Sequence, residues 1–205
     1  MSDAFRRSDR NLNGDSSPWG QPYAVQFDPG NTRLVIRNER MVRGNPANFG
    51  PDGAPVLTAP GPVAPTVVGM SYVFTPGATR RENAVVGVCT RSFGYSSVQF
   101  AVYPGGWVLF YAQAGSALVD LASGQFATPL TTDAQTVYHT VMSVDLANSS
   151  VTVDYPGATQ TFTDPAIAQH WGTLAGFQVR HPAATDGDVQ VLSVTAGATG
   201  FAPFS

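Results

Sequence analysis

At 205 residues the chain is long enough for one domain, at roughly 100–200 residues each, and its 43% hydrophobic content supplies a core without disulfides or a structural metal. Only 12% of residues are charged and the net charge is −3, which excludes disorder and argues against nonspecific binding to nucleic acid. Gly (21) and Pro (16) are abundant, lysine is absent, and no run approaches the ~18 apolar residues of a membrane span, so neither a long-helix protein nor membrane insertion is expected.

In chain order, Met1 to Arg7 lacks the apolar stretch of a secretory signal, so the chain is expected to be made and kept in the cytosol or to leave by a route such as lysis. Residues 1–22 read as an irregular N-terminal segment pinned by Phe5 and Trp19. Tyr23 to Asp28 alternates. Arg33 to Arg37 and Arg40 to Arg43 flank Asn38-Glu39 as a tight hairpin. Residues 44–66 read as a long Pro/Gly loop without periodicity, a stretch that in a compact domain serves function or assembly.

Strand signals then come in close succession. Val67 to Phe74 puts Val68, Met70, Tyr72 and Phe74 on one face, and Ala84 to Thr90 is a valine-rich central strand. Val98, Phe100 and Val102 alternate with polar or small residues. Pro104-Gly105-Gly106 turns the chain into Trp107 to Gln113, and Ala117 to Leu121 follows. Val137 to Leu146 is a long strand, with Tyr138, Met142, Val144 and Leu146 on one side. Asn148-Ser149-Ser150 returns it into Val151 to Tyr155 and then Thr159 to Thr163. Asp164 before Pro165 predicts one short helix through His170. Leu174 to Arg180 and Val189 to Thr195 are the last strands, before a tail at 197–205. Short strands at 8–12-residue spacing in one domain, 1–205, predict a two-sheet antiparallel β-sandwich.

Candidate functional residues are few. Sugar faces stack on flat aromatics rimmed by polar groups. Trp107 and Tyr111 share one strand face, Tyr103 precedes the same hairpin, and Arg91 and Tyr95 sit beside it, so these five form a candidate glycan surface. The competing reading places Trp107 and Tyr111 in the core. Arg40 and Arg43, with Phe201 and Phe204 of the tail, are candidate assembly contacts, because apolar residues on an irregular end must bury somewhere. Cys89, the single cysteine, reads as a small buried hydrophobe. His139, His170 and His181 lack metal-ligand spacing, and no nucleophile elbow or phosphate loop occurs.

Asp3-Ala4-Phe5-Arg6-Arg7 with Leu12 and Trp19 resembles the opening of concanavalin A-like, laminin-G-like jelly rolls. The second half also resembles them, through Tyr138-His139-Thr140-Val141, Ser143-Val144-Asp145, Val151-Thr152-Val153 and the short helix before Ala175-Gly176-Phe177. The resemblance implies an all-β jelly-roll sandwich of the kind found in minor tail and host-facing virion proteins of actinobacterial phages. The arginine-only, Ala/Gly/Pro-rich composition of a GC-rich genome agrees with that origin. The expectation is therefore a non-enzymatic virion protein, with other virion proteins or copies of itself as partners and cell-surface glycan as a further one. The alternatives are a free carbohydrate-binding module and, behind it, a glucanase-like hydrolase.

Glucanases of this superfamily carry Glu-x-Asp-x-(x)-Glu on one strand, and retaining chemistry needs two carboxyls ~5–5.5 Å apart. This chain has two glutamates, Glu39 and Glu82, on no such strand, and Asp145 and Asp154 read as turn-flanking acids. No cofactor is expected except that the resemblance implies a calcium option, for which Asp186 and Asp188 would supply two of the six or more oxygens required.

Overall fold

The computed structural model describes residues 2–5, 10–11, 23–26, 34–37, 40–43, 56–60, 64–78, 85–91, 96–113, 118–180 and 189–198. Its strands are β1 (Ser2–Asp3), β2 (Arg10–Asn11), β3 (Ala24–Gln26), β4 (Leu34–Arg37), β5 (Arg40–Arg43), β6 (Val56–Pro60), β7 (Val67–Phe74) and β8 (Val85–Arg91). There follow β9 (Ser97–Tyr103), β10 (Gly106–Ala112), β11 (Val119–Gln125), β12 (Tyr138–Asp145), β13 (Ser150–Tyr155), β14 (Ala158–Thr163), helix α1 (Pro165–His170), β15 (Leu174–Arg180) and β16 (Val189–Gly197). They form two antiparallel sheets. One runs β14-β13-β12-β7-β16-β5-β4-β2, with β1 also on β16, and the other runs β11-β10-β9-β8-β15-β6-β3. This is the expected jelly-roll sandwich with one short late helix.

Alternation builds the core. Val68, Met70, Tyr72 and Phe74 of β7 face Val98, Phe100 and Val102 of β9 and Trp107 and Leu109 of β10 across the sandwich. The opposite side of β9 and β10 holds a smaller buried cluster of Ala101, Tyr103, Val108 and Phe110. Inside the main core the Tyr72 hydroxyl and the Thr140 hydroxyl lie 2.9 Å apart, a buried polar pair that satisfies both. Burial outweighs that hydrogen bond and pushes the Tyr72 phenol well above its ordinary value.

The local signal at α1 is obeyed. Asp164 is extended (φ −157°, ψ 135°), its carboxylate accepts from Ala166 N at 2.8 Å, and Pro165 opens the first turn. Ile167 is the helix's buried residue, and the Trp171 indole donates to the Pro65 carbonyl at 2.9 Å, which ties the helix end to the entry of β7.

Three expectations need correction. The segment taken as loop, 44–66, contains β6, which lies between β15 and β3 in the sheet. The N-terminal segment contributes the short strands β1 and β2. The last strand continues to Gly197, where tail was expected.

Candidate ligand-binding cavity

An open cavity of about 530 Å³ lies between the sheets where β11 passes to β12. Trp107 forms its floor. One wall is Gln125 to Thr128 with Leu130, another is Tyr138, and the hairpin tip Tyr155-Pro156-Gly157-Ala158 closes the far side.

Each wall has a local cause. Trp107 is paired with Gly124 across β10 and β11, and its indole lies over that glycine. A Cβ on Gly124 would sit 2.8 Å from Trp107 Cε2 and Cζ2, so the ring keeps its place only because this position has no side chain. Phe100 stacks on the indole at 5.5 Å and 19°, and Tyr155 and Phe162 each sit 5.4 Å from it. Residues 126–137 form a strap from one sheet to the other. Phe126 N donates to Gly105 O at 3.0 Å, Leu130 N to Pro104 O at 2.7 Å, and Ala134 N to Phe74 O at 2.9 Å. Thr131 N adds a bond to the Tyr138 hydroxyl at 2.7 Å. An Asx turn at Asp133, accepting from the N–H groups of Thr136 and Gln135, holds that carboxyl below the usual carboxylate range.

Among the described residues the lining carries no Asp, Glu, Arg or His. Its polar groups are neutral. Gln125 Nε2 donates to the Tyr103 hydroxyl at 3.0 Å, and the Tyr155 hydroxyl donates to Gln160 Oε1 at 3.1 Å. Burial raises the Tyr155 phenol further above its ordinary value, so it stays a donor.

The five residues expected to form one glycan surface are separated. Trp107 and Tyr111 both point inward, at opposite ends of β10: Trp107 floors the cavity, while Tyr111 stacks on His170 at 4.4 Å and 7°. The His170 ring is fixed further by Ser96, whose hydroxyl lies 2.7 Å from Nδ1. Tyr103 lies on the other face of the sheet. Arg91 closes β8 opposite Ser97 and Leu174, and Tyr95 falls outside the described residues. Of the assembly set, Arg40 is half-buried and donates to Gln190 Oε1, and Arg43 pairs with Leu34. Phe201 and Phe204, like the calcium candidates Asp186 and Asp188, lie outside the described residues. Among the described residues no group of three or more His, Cys, Asp or Glu could hold a metal.

Carboxylates are absent from the centre of the seven-stranded sheet. The sequences of β8, β9, β10 and β15 contain neither Asp nor Glu. Asp145 and Asp154 occur on the other sheet and are exposed, Asp145 in turn-type bonds and Asp154 bonded across the β13–β14 ladder. Asn148 donates to Asp145 from its side chain (2.7 Å) and its backbone (3.2 Å), which holds that carboxyl below the usual range, and Thr159 donates to Asp154 at 3.0 Å. Tyr138, Phe126 and Tyr155 are the site residues that sequence reasoning missed; the aromatic just before Pro156-Gly157 was the available sign.

No protein-family model and no curated protein matches the sequence. Solved structures do, and they define a class: a jelly-roll sandwich of the kind seen in glucanases and carbohydrate-binding modules. The Bacillus licheniformis beta-glucanase is 9% identical, with 96% of each chain covered and a TM-score of 0.54. The CBM2 module of the evolved Dit of Lactobacillus casei BL23 phage J-1 is 13% identical, covering 95% of this chain and 92% of that one at a TM-score of 0.51. A sialidase is matched over 87% of this chain, which spans only 17% of the sialidase's length, at 9% identity and a TM-score of 0.48. At such identities the likeness is one of fold. Among the described residues no helix is long and apolar enough to cross a membrane.

Proposed function

We propose that this jelly roll binds carbohydrate without cleaving it, and that it does so as a host-facing component of a phage tail. The open, uncharged cavity floored by Trp107 carries the reading, because ring faces beside neutral hydrogen-bonding groups suit a pyranose. Two further facts support it. The four central strands lack the paired acids that hydrolysis requires. One solved structure of the same fold is a carbohydrate-binding module of a phage Dit, which favours the tail setting over a free module.

Retention of the full chain on an array of neutral bacterial-envelope glycans is the test. Wild type is expected to be retained, and Trp107→Ala to lose binding by about tenfold or more. The indole is also core, and its removal costs about 3–5 kcal/mol, so Gly124→Ala provides a milder variant that displaces the ring without deleting it. Retention unchanged in both variants removes the cavity from the proposal. The virion part is checked separately, by mass spectrometry of particles from the encoding phage; their lacking the chain would leave a free module.

A further inference from the structure

We infer that β14 is a docking edge for a second copy of this chain, the two strands pairing antiparallel about a two-fold axis at Thr161 and joining the nine-stranded sheets of both copies. β14 ends that sheet, and all its residues but Phe162 are exposed. Its phase on β13 is set by the two-residue turn Pro156-Gly157. Tyr155 and Ala158 close the hairpin as a hydrogen-bonded pair, and bonded pairs alternate from there. Ala158, Gln160 and Phe162 therefore spend their backbone groups on β13. Thr159, Thr161 and Thr163 aim theirs outward, and among the described residues no strand receives them. The side chains are already committed within the hairpin. Thr159 Oγ1 donates to Asp154 at 3.0 Å, the Thr161 and Thr152 hydroxyls lie 2.8 Å apart, and Gln160 accepts from Tyr155 at 3.1 Å. What β14 offers a partner is its backbone.

The other ends of the two sheets are guarded, and this one is not. β2 has two residues and includes Arg10, β3 has three residues, and β11 carries Asp120, Gly124 and a register shift against β10. Shortness, charge and bulges are the usual means of stopping edge-to-edge pairing. β14 is six residues of unbroken register, Ala-Thr-Gln-Thr-Phe-Thr, with no charge, glycine or proline. Such a strand fits a copy of itself. Centred on Thr161, antiparallel pairing sets Thr161 against Thr161 and Thr159 against Thr163, so threonine meets threonine at every bonded pair and no like charges oppose. The same flank holds apolar surface. β11 is the matching end of the other sheet, on the side of β14 because Phe162 and Gly124 both lie against Trp107. At its start Leu118 is 56% and Val119 41% exposed. A specific interface hides about 800 Å² on each partner, more than one ribbon supplies, and these side chains extend the contact beyond it.

The test is sedimentation velocity of the full chain over about 1–100 μM, with amide hydrogen exchange read by NMR at both ends of that range. A monomer–dimer equilibrium in the micromolar range is expected, with the amides of Thr159, Thr161 and Thr163 gaining protection as the dimer fills. Thr161→Lys sets like charges against each other at the axis. It is expected to weaken the dimer about tenfold or more, while the melting temperature of the dilute monomer stays the same. Ser143→Lys puts the same charge on the same face two strands inward and is expected to leave the dimer intact. A chain that stays monomeric to about 100 μM overturns the inference. So does a dimer in which those three amides exchange as fast as in the monomer, or one that Thr161→Lys leaves unweakened. Should that variant not fold, exchange in the wild type decides alone.

Discussion

Among the described residues, Gln99 Oε1 and Gln178 Oε1 are buried without a hydrogen-bond partner, on the outer side of the seven-stranded sheet. A buried acceptor left unpaired costs about 1–3 kcal/mol, while a side chain of similar shape without the oxygen escapes that cost. Gln178→Met is therefore expected to raise stability by about 1 kcal/mol in urea unfolding. A loss of that size instead would mean that the oxygen has a partner, such as an ordered water. His139 gives a pH signature. Burial holds its pKa below the usual histidine value, with Asp154 opposing the shift. The unfolded chain then takes the proton more readily than the folded one, so this residue's contribution is full above the unfolded value and is lost as pH falls from there toward the lower folded value. The melting temperature is expected to drop across that window, less so in His139→Asn and more steeply in Asp154→Asn. Equal slopes in all three proteins would rule the group out. At this scale the sequence was informative about type and not about place. That Trp107 and Tyr111 share a face follows from period-2 alternation, but their division between a cavity and a histidine stack depends on residues 126, 138, 155 and 170, which only the fold assembles.

The β13–β14 hairpin shows what one element owes to one residue. Gly157 turns it with φ +86°, and a Cβ there would meet nothing within 4 Å. Gly157→Ala thus adds no clash and isolates the backbone term: left-handed strain of about 1–2 kcal/mol, offset by about 0.4–1 kcal/mol of lost freedom in the unfolded chain. The net expectation is a loss of about 0.5–1 kcal/mol with glycan binding intact, measured by denaturant melts beside the array. A larger loss of binding than of stability would show the tip itself reshaping the mouth. Elements written locally were legible: the Asp164-Pro165 start of α1, and β7, β9 and β12 through their alternation. β6 was not, because Val56–Pro60 is framed by Pro and Gly and its partners, β15 and β3, lie far along the chain in both directions. The two-residue strands β1 and β2 are too short to show a period at all.

For the whole molecule, two sheets and their connections decide what chemistry is open. The acid-free strands β8, β9, β10 and β15 occupy adjacent places in the seven-stranded sheet, so no pair of carboxyls from them can flank a glycosidic bond. Incubation with neutral glucans or host-envelope polysaccharide is expected to release no reducing sugar at any pH, and release abolished by substituting Asp145 or Asp154 would overturn that expectation. The sandwich class was readable from strand spacing, since many short alternating runs admit few other packings. The layer order was not, being set by pairings such as β15 with β6 that no local pattern records.

The strap from Phe126 to Val137 leaves the seven-stranded sheet at β11 and enters the other at β12, so the cavity beneath it has walls in both layers. A sugar seated there would act as a rivet. Sliding or peeling one layer from the other would first have to tear it loose, and the protein would be hardest to pull open at the moment it grips something.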